Sequence, residues 1–212
     1  MKNYEAIIWD IDGTLLNTAE GLSKAYQHCI RELNLPEKSA EELASYIGPV
    51  PQEIFQREFG LSCSAAQHAT DIFRAWYKEH GLGLAFPYPG VLEVLQKLQF
   101  MGVNQAIATN KRHDYAVEIC EIFGIAHYCS PIMGANNANT KSKDDLIFDC
   151  LTALRTKRAL MIGDTVGDAE AAQKVGIDFL GVNYGYGFRE VEGYANFPHD
   201  IIPILAREVQ YN

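Results

Sequence analysis

The chain has 212 residues, 48% of them hydrophobic, and a formal net charge of −9. That length is enough for one large domain, or for a core with an inserted subdomain. The negative charge argues against nucleic acid or an anionic membrane surface as the main partner, because both would repel the protein. An anionic substrate would therefore need local positive charge or a metal at its site.

Two further features of the sequence favour a soluble protein of the cytoplasm. The first residues contain no apolar signal region, and no apolar run reaches the length that spans a membrane. The five cysteines are scattered without paired spacing. This is typical of reduced thiols and not of a disulfide framework or a zinc site. We therefore expect a cytoplasmic location.

The first predicted element is a buried strand that ends at two acidic residues. An apolar run over residues 4–9 leads directly into Asp10 and Asp12. Ligands of open α/β sheets collect beyond the carboxyl ends of the strands, which is where these two side chains would lie. Gly13 allows a tight turn and a close approach to a ligand. A divalent cation would relieve the repulsion of two close carboxylates. The alternative is an ordinary acidic turn that caps a helix.

Residues 16–85 are predicted to form an all-helical insert. Apolar residues recur at helical spacing, and Gly or Pro ends most of the runs. We expect helices over 19–33, 40–47, 52–59 and 64–80, with Ser64 as the N-cap of the last. No strand signal interrupts this region. The sequence therefore predicts a helical cap at 16–85, inserted after the first strand of a core that comprises 1–15 and 86–212.

Strands and helices alternate in the rest of the chain. We expect strands at 105–108, 130–133, 159–162 and 179–182, and helices at 91–100, 115–123, 144–154 and 168–175. Such alternation predicts an α/β fold, a right-handed, doubly wound parallel sheet of Rossmann-like type. The tail at 184–212 has little pattern beyond a final helix at 201–209.

A second acidic pair follows the strand predicted at 159–162. Asp164 comes directly after Gly163, and Asp168 lies four residues further, across a glycine-bearing turn. Carboxylates in this arrangement suit a hard, oxygen-ligated ion such as Mg²⁺. Asp168 could equally serve as the N-cap of the helix that follows.

Thr109 follows the strand predicted at 105–108. Its hydroxyl group could hold phosphate oxygens, together with the backbone N–H groups of Asn110 and Lys111 near a helix start. A threonine at the end of a strand is common, however. The signal is informative only in combination with the acidic pairs.

These three segments resemble the motifs of a known enzyme family. The stretch Asp10-Ile11-Asp12-Gly13-Thr14 resembles the first motif of the haloacid dehalogenase-like hydrolases. Thr109 matches their second motif, and Gly163-Asp164-Thr165-Val166-Gly167-Asp168 resembles their fourth. The resemblance implies that Asp10 is a nucleophile and that Asp12 is a general acid and base.

The resemblance also implies a set of metal and phosphate ligands. Mg²⁺ would be held by Asp10, by the backbone carbonyl of Asp12 and by Asp164, with Asp168 in support. Gly13, Thr109, Asn110 and a lysine would bind the phosphate.

The third motif of the family supplies that lysine, and here the sequence departs from the commoner Lys-Pro form. Lys141 and Lys143 both precede the helix predicted at 144–154. Aligned on that helix, Lys143 resembles the Ser-Lys variant of some relatives. Lys143 is therefore our choice, with Lys141 as the alternative. Lysines beside a helix start are otherwise usually solvated.

The position of the insert and the segments at 47–51 and 88–91 are most similar to the phosphoglycolate phosphatase-like branch. The resemblance implies Mg²⁺-dependent hydrolysis of a small phosphate monoester, such as a phosphoglycolate-like compound or a sugar phosphate, through an aspartyl phosphate. A phosphomutase shares every core motif and is the main alternative. A haloacid dehalogenase would have no use for Asp12. A receiver-like phospho-Asp signalling domain lacks a cap and fits the length badly.

Overall fold

The computed structural model describes residues 4–136 and 140–207. It divides the chain into two compact units, one formed by Met1–Leu16 and Pro87–Asn212 and the other by Asn17–Phe86. The strands are β1 (Ala6–Trp9), β2 (Leu16–Asn17), β3 (Phe86–Pro87), β4 (Asn104–Arg112), β5 (Ile132–Ala135), β6 (Ala159–Gly163) and β7 (Asp178–Gly181). The α-helices are α1 (Ala19–Glu32), α2 (Ala40–Ser45), α3 (Pro51–Phe59), α4 (Cys63–Trp76), α5 (Val91–Phe100), α6 (His113–Ile122), α7 (Lys143–Leu154), α8 (Val166–Val175) and α9 (Ile201–Arg207).

The first unit contains a five-stranded sheet in the order β5-β4-β1-β6-β7, and every pairing in it is parallel. The doubly wound parallel sheet predicted from the alternation of strands and helices is therefore confirmed. The two-residue strands β2 and β3, which the sequence did not predict, pair with each other. Among residues 4–136 and 140–207, no helix combines the length and apolar character that crossing a bilayer would require.

β1 is the central strand, and its four residues are all buried. Ala6 and Ile8 belong to a cluster on one face of the sheet, together with residues of α7 and α8. On the other face Trp9 donates a hydrogen bond from Nε1 to Gln105, which in turn donates to a backbone carbonyl of α5. Helices cover both faces of the strand, which explains why its sequence is continuously apolar instead of alternating.

The register of the sheet aligns the ends of three strands. Trp9, the last residue of β1, pairs with Ile107 in β4 and with Ile162 in β6. Asp10 therefore leaves the sheet beside the points where β4 reaches Thr109 and β6 reaches Asp164. Since the strands are parallel, all of these residues lie at the carboxyl edge of the sheet, where ligands of such folds bind.

The second unit has an aromatic core of its own. The ring of Tyr26 in α1 packs against Tyr46, Phe55 and Phe73, at centroid distances of 5.4, 5.6 and 4.6 Å. These contacts join α1 to α3, to α4 and to the residue that ends α2. Aromatic side chains of α1, α3 and α4 therefore meet in one core within the unit.

The helix predicted at 64–80 differs from the observed one at both ends. It begins at Cys63, because the hydroxyl group of Ser62, and not that of Ser64, accepts the backbone N–H of Ala65. It ends at Trp76, and a π-helical turn continues over Tyr77–Gly81. The serine nearest to the apolar pattern was therefore the wrong N-cap.

Several other boundaries are also shifted. β4 continues to Arg112, four residues beyond the predicted end, and β5 begins at Ile132 instead of residue 130. α8 begins at Val166, two residues before Asp168. α9 spans Ile201–Arg207, and residues 208 and 209 of the helix predicted at 201–209 lie outside the described residues.

Candidate active site

Asp10 follows β1 and forms a buried ion pair with Lys143 at the start of α7. Nζ of Lys143 lies 2.5 Å from Oδ1 of Asp10 and 2.8 Å from Oδ1 of Asp168. The side chains of Lys143 and Asp10 are each 9% exposed, and that of Asp168 is 4% exposed. Charges so well shielded from water interact strongly, so this contact draws three elements of the chain together.

Asp10, Asp164 and Asp168 form a buried cluster of carboxylates. One oxygen of each lies within 4.8 Å of those of the other two. Burial, followed by the repulsion of the nearby carboxylates, raises the pKa of Asp10 to about 7 against the attraction of Lys143. Burial likewise raises the pKa of Asp164 to about 6. Burial lowers the pKa of Lys143, but the attraction of Asp10 and Asp168 outweighs it and the net direction is upward.

The cluster fits a divalent metal ion. Its donors are hard carboxylate oxygens, which are the ligands that Mg²⁺ and Ca²⁺ prefer. With Asp12, four carboxylates lie at this edge of the sheet; Lys143 contacts Asp10 and Asp168, and Lys111 contacts Asp12. A divalent cation would balance the remaining negative charge and relieve the repulsion that adds to the effect of burial on the pKa values of Asp10 and Asp164.

Asp168 also caps a helix, with the oxygen that Lys143 does not contact. Its Oδ2 accepts hydrogen bonds from the backbone N–H of Thr165 at 3.1 Å and from the Thr165 hydroxyl group at 2.7 Å. The Thr165 hydroxyl in turn accepts the backbone N–H of Asp168. The sequence suggested a metal site or a helix cap as alternatives for Asp168. The cap is this reciprocal capping box, with Thr165 and not Asp168 at the N-cap, and it leaves Oδ1 available to the cluster.

The side chain of Asp12 contacts Lys111. The sequence predicted a role at the site for the backbone N–H group of Lys111 but not for its side chain. Nζ of Lys111 is 3.0 Å from Oδ1 of Asp12, and the two side chains are 4% and 14% exposed. The expected strand ended at residue 108, so no direction was predicted for Lys111. β4 continues through Lys111 with an irregular register against β5 between Thr109 and Arg112, and Lys111 is buried, as Thr109 is. The sequence signal that could have pointed to Lys111 was its position two residues after Thr109, just beyond the predicted end of the strand.

The predicted phosphate-binding residues lie in different environments. Thr109 is buried, and its hydroxyl group accepts the backbone N–H of Lys111 at 3.2 Å. Asn110 is exposed, and both it and Lys111 lie at the end of β4, shortly before α6 begins at His113. Gly13 is buried with φ +84° and donates its N–H to Leu16.

The two candidate lysines lie in different environments. Lys143 contacts Asp10 and Asp168, whereas Nζ of Lys141 lies 2.5 Å from Asp149. The side chain of Lys141 is 48% exposed. The structure therefore places Lys143 in the carboxylate cluster and Lys141 in a surface ion pair.

A contact from the tail of the chain had no sequence signal. Oδ2 of Asp164 accepts the backbone N–H groups of Tyr186 and Gly187, at 2.6 and 3.3 Å. Asp164 is fully buried. The tail from 184 onward showed little pattern, and backbone donors leave no trace in side-chain chemistry.

The chain was compared with known proteins. The family model described as haloacid dehalogenase-like hydrolase matches residues 7–182. The chain is 31% identical, over 189 residues, to Tyrosine-protein kinase PtkA of Mycobacterium tuberculosis. It is 29% identical, over 201 residues, to the phosphoglycolate phosphatase of Vibrio cholerae. The structure is similar to that of a haloacid dehalogenase-like family hydrolase of Streptococcus pneumoniae, with a TM-score of 0.88 and 26% identity.

The shared regions differ in extent. The match with the kinase covers 88% of this chain but 64% of the kinase. The match with the phosphatase covers 90% of this chain and 89% of the phosphatase. The match with the Streptococcus pneumoniae structure covers 97% of this chain and 100% of the other.

Proposed function

The chain belongs to the haloacid dehalogenase-like hydrolases, and on that premise we propose that it is a Mg²⁺-dependent phosphatase of small phosphate monoesters. The observation that carries the proposal is the position of Asp10. It follows the central strand, contacts Lys143 and lies beside Asp164 and Asp168. The similarity to the phosphoglycolate phosphatase of Vibrio cholerae supports a phosphoglycolate-like substrate or a sugar phosphate.

Asp10, Asp164 and Asp168, with the backbone carbonyl of Asp12, would hold the Mg²⁺ ion. When bound, the ion supplies positive charge that offsets the repulsion between Asp10 and an anionic phosphate group. Lys143 places a second positive charge beside the carboxylate of Asp10. Without these charges, an anionic nucleophile could not approach an anionic substrate in a protein of net charge −9.

The reaction runs in two steps at Asp10. An oxygen of Asp10 attacks phosphorus, the ester bond breaks, and Asp12 gives its proton to the departing oxygen. Asp12 then accepts a proton from water as the water oxygen attacks phosphorus. The bond to Asp10 breaks, and inorganic phosphate leaves. Lys143 and the Thr109 hydroxyl stabilise the phosphoryl oxygens in both steps.

Lys111 has a positioning role in this scheme. Its ammonium group holds one oxygen of Asp12 at 3.0 Å. Asp12 must reach first the leaving group and then the water, which requires a defined side-chain orientation. A buried lysine that contacts one carboxylate oxygen restricts that orientation.

A second function is favoured by one observation, the 31% identity to a tyrosine-protein kinase. The chain spans 64% of that relative. A kinase of this kind would differ from a phosphatase in its donor, a nucleoside triphosphate, and in its acceptor, a tyrosine hydroxyl group in place of water. The same residues around Asp10 would serve both reactions.

The test is a panel of phosphorylated metabolites with Mg²⁺, including phosphoglycolate and several sugar phosphates, in which released phosphate is measured. A parallel reaction supplies a nucleoside triphosphate and a tyrosine-containing peptide. We expect phosphate release from at least one small monoester and no phosphopeptide. Phosphopeptide formation without hydrolysis of any monoester would overturn the proposal in favour of the kinase.

A further inference from the structure

The segment 184–188 follows β7 and reaches back to the carboxyl edge of the sheet. Tyr184 donates a hydrogen bond from its hydroxyl group to the backbone oxygen of Thr14, at 3.1 Å. Its ring packs against Tyr88 at a centroid distance of 4.9 Å. Phe188 donates its backbone N–H to the backbone oxygen of Asp164, at 2.9 Å. The segment is thus attached at both ends, to the turn after β1 and to the end of β6.

Between these attachments, the segment contacts the carboxylate of Asp164. The N–H groups of Tyr186 and Gly187 both point at Oδ2, at 2.6 and 3.3 Å. Two donors on one oxygen fix the plane of the carboxylate and leave Oδ1 for other partners. The Thr14 hydroxyl lies 3.5 Å from Oδ1, at the limit of a hydrogen bond.

Glycines make this approach possible. A β-carbon on Gly185 would lie under 3.0 Å from Asp164 and from the backbone oxygen of Gly13. A β-carbon on Gly187 would lie equally close to the backbone oxygen of Asp164. Two of these close atoms, the backbone oxygens of Gly13 and Asp164, cannot move aside as the end of a long side chain can. Any larger residue would lift the segment from Asp164.

We infer that the segment 184–188 is a positioning element for Asp164, which orients that carboxylate toward the metal ion. The inference rests on the proposed function, since it requires the carboxylate cluster to bind Mg²⁺. Groups that orient metal ligands typically change metal affinity by about 10- to 100-fold when they are removed. The segment 184–188 therefore contributes to the site through the backbone N–H groups of Tyr186 and Gly187.

The experiment measures Mg²⁺ binding by calorimetry, in the full-length protein without substrate. Gly185→Ala and Gly187→Ala should each raise the Kd for Mg²⁺ by about tenfold or more. Gly193→Ala is the matched control. It lies in the same tail at φ +85°, so alanine strains the backbone there too, but a β-carbon would contact nothing within 4 Å. Its Kd should stay within about twofold of that of the wild type.

A milder variant keeps the inference testable if the glycine variants do not fold. Tyr184→Phe removes the hydrogen bond to Thr14 and keeps the ring against Tyr88. It should weaken Mg²⁺ binding by about threefold or more, with little change in the Tm of the metal-free protein. A purely structural role would lower that Tm and leave the Kd unchanged.

The outcomes are distinct. Wild-type affinity in folded Gly185→Ala and Gly187→Ala would overturn the inference, and so would an unchanged Kd in Tyr184→Phe if both glycine variants fail to fold. Hydrolysis of phosphate monoesters is measured separately. If the wild type binds Mg²⁺ and the variants bind it weakly, but no monoester is hydrolysed, the proposed function fails and the inference stands.

Discussion

Lys143 and Asp10 form an ion pair that connects the start of α7 to the end of the central strand, with 2.5 Å between Nζ and Oδ1. Both side chains are 9% exposed. A buried ion pair is a weak source of stability, because both groups lose their hydration. In the proposed reaction its value is chemical, since it keeps a positive charge beside the carboxylate that would approach a phosphate group.

Asp10→Asn should abolish turnover and leave the fold intact. The amide has nearly the size of the carboxylate but cannot attack phosphorus, so we expect a loss of at least about 1,000-fold in kcat, or ~4 kcal/mol in the barrier. The Tm of the metal-free protein should be unchanged or higher, because one of the mutually repelling carboxylates is gone. Turnover within about tenfold of the wild type, ~1.4 kcal/mol, would contradict the assignment of Asp10 as nucleophile.

Lys143→Ala should lower kcat/KM by at least about 100-fold. It removes the positive charge that lies beside Asp10 and that would lie beside the bound phosphate. Lys141→Ala is the matched control, since Lys141 forms a surface ion pair with Asp149. Its kcat/KM should stay within about twofold of the wild type. Steady-state kinetics on p-nitrophenyl phosphate measures both. If Lys141→Ala proves to be the damaging change, the two lysines exchange their roles.

Asp12→Ala separates a hydrolase from a phosphomutase. p-Nitrophenyl phosphate has a good leaving group and needs little proton donation, so formation of the aspartyl phosphate should survive better than its hydrolysis. Phosphoenzyme should therefore accumulate, and intact-protein mass spectrometry would detect the added phosphoryl group. The wild type should release phosphate without a bisphosphate primer. Slow release from every monoester, together with rapid isomerisation of a hexose phosphate, would favour the mutase.

Lys111→Met should slow the hydrolysis of alkyl phosphates more than that of p-nitrophenyl phosphate. Alkyl leaving groups depend on the proton of Asp12, and Lys111 orients that side chain. We expect losses of about tenfold or more for alkyl phosphates and about threefold for the aryl ester. Lys174→Met, at an exposed lysine near Asp144, is the control. Equal losses on both substrates would show that Lys111 acts on phosphate binding and not through Asp12.

Mg²⁺ affinity should rise with pH. The pKa of Asp164 is raised to about 6 and that of Asp10 to about 7, chiefly by burial, so protons compete with the cation below these values. Calorimetry should show the Kd falling between about pH 5 and about pH 7.5, and levelling above. A Kd that does not change over this range would contradict proton competition at the cluster.

The same two groups affect stability. Their folded pKa values lie above the ordinary value of 3.8, so the folded protein binds more protons than the unfolded chain between about pH 4 and about pH 7. Their contribution to the stability of the metal-free protein is therefore complete below about pH 4 and is lost as the pH rises through about 7. The rise in Tm that Mg²⁺ produces should accordingly be larger at pH 7.5 than at about pH 5.

The family, its phosphoglycolate phosphatase-like branch and the fold were predictable because each depends on local sequence. A buried strand such as β1 is a continuous apolar run, and Asp10 follows it directly. The sequence could not settle the extent of β4, because Asn110 and Lys111 are polar residues in a strand that continues past its apolar part. The register of β4 against β5 is irregular between Thr109 and Arg112, so regular alternation along the strand could not predict the contact of Lys111 with Asp12.

Two features of the site were beyond sequence analysis for a different reason. The capping box of Thr165 and Asp168 uses the same aspartate that Lys143 contacts, and a pattern of residue types cannot show that one side chain serves both partners. The N–H groups of Tyr186 and Gly187 are common to almost every residue. Only the three-dimensional path of the tail brings them to Asp164.

The central place of β1 in the sheet has a consequence for folding during translation. β1 is made first, yet its partners are β4, at Asn104–Arg112, and β6, at Ala159–Gly163. The helical unit Asn17–Phe86 is contiguous and can complete its own core much earlier. The apolar strand that leads to Asp10 therefore stays unpaired on both edges until β4 has been translated, and on one edge until β6 has been translated. Such a segment is a natural client for chaperones, which shield exposed strands until distant partners arrive.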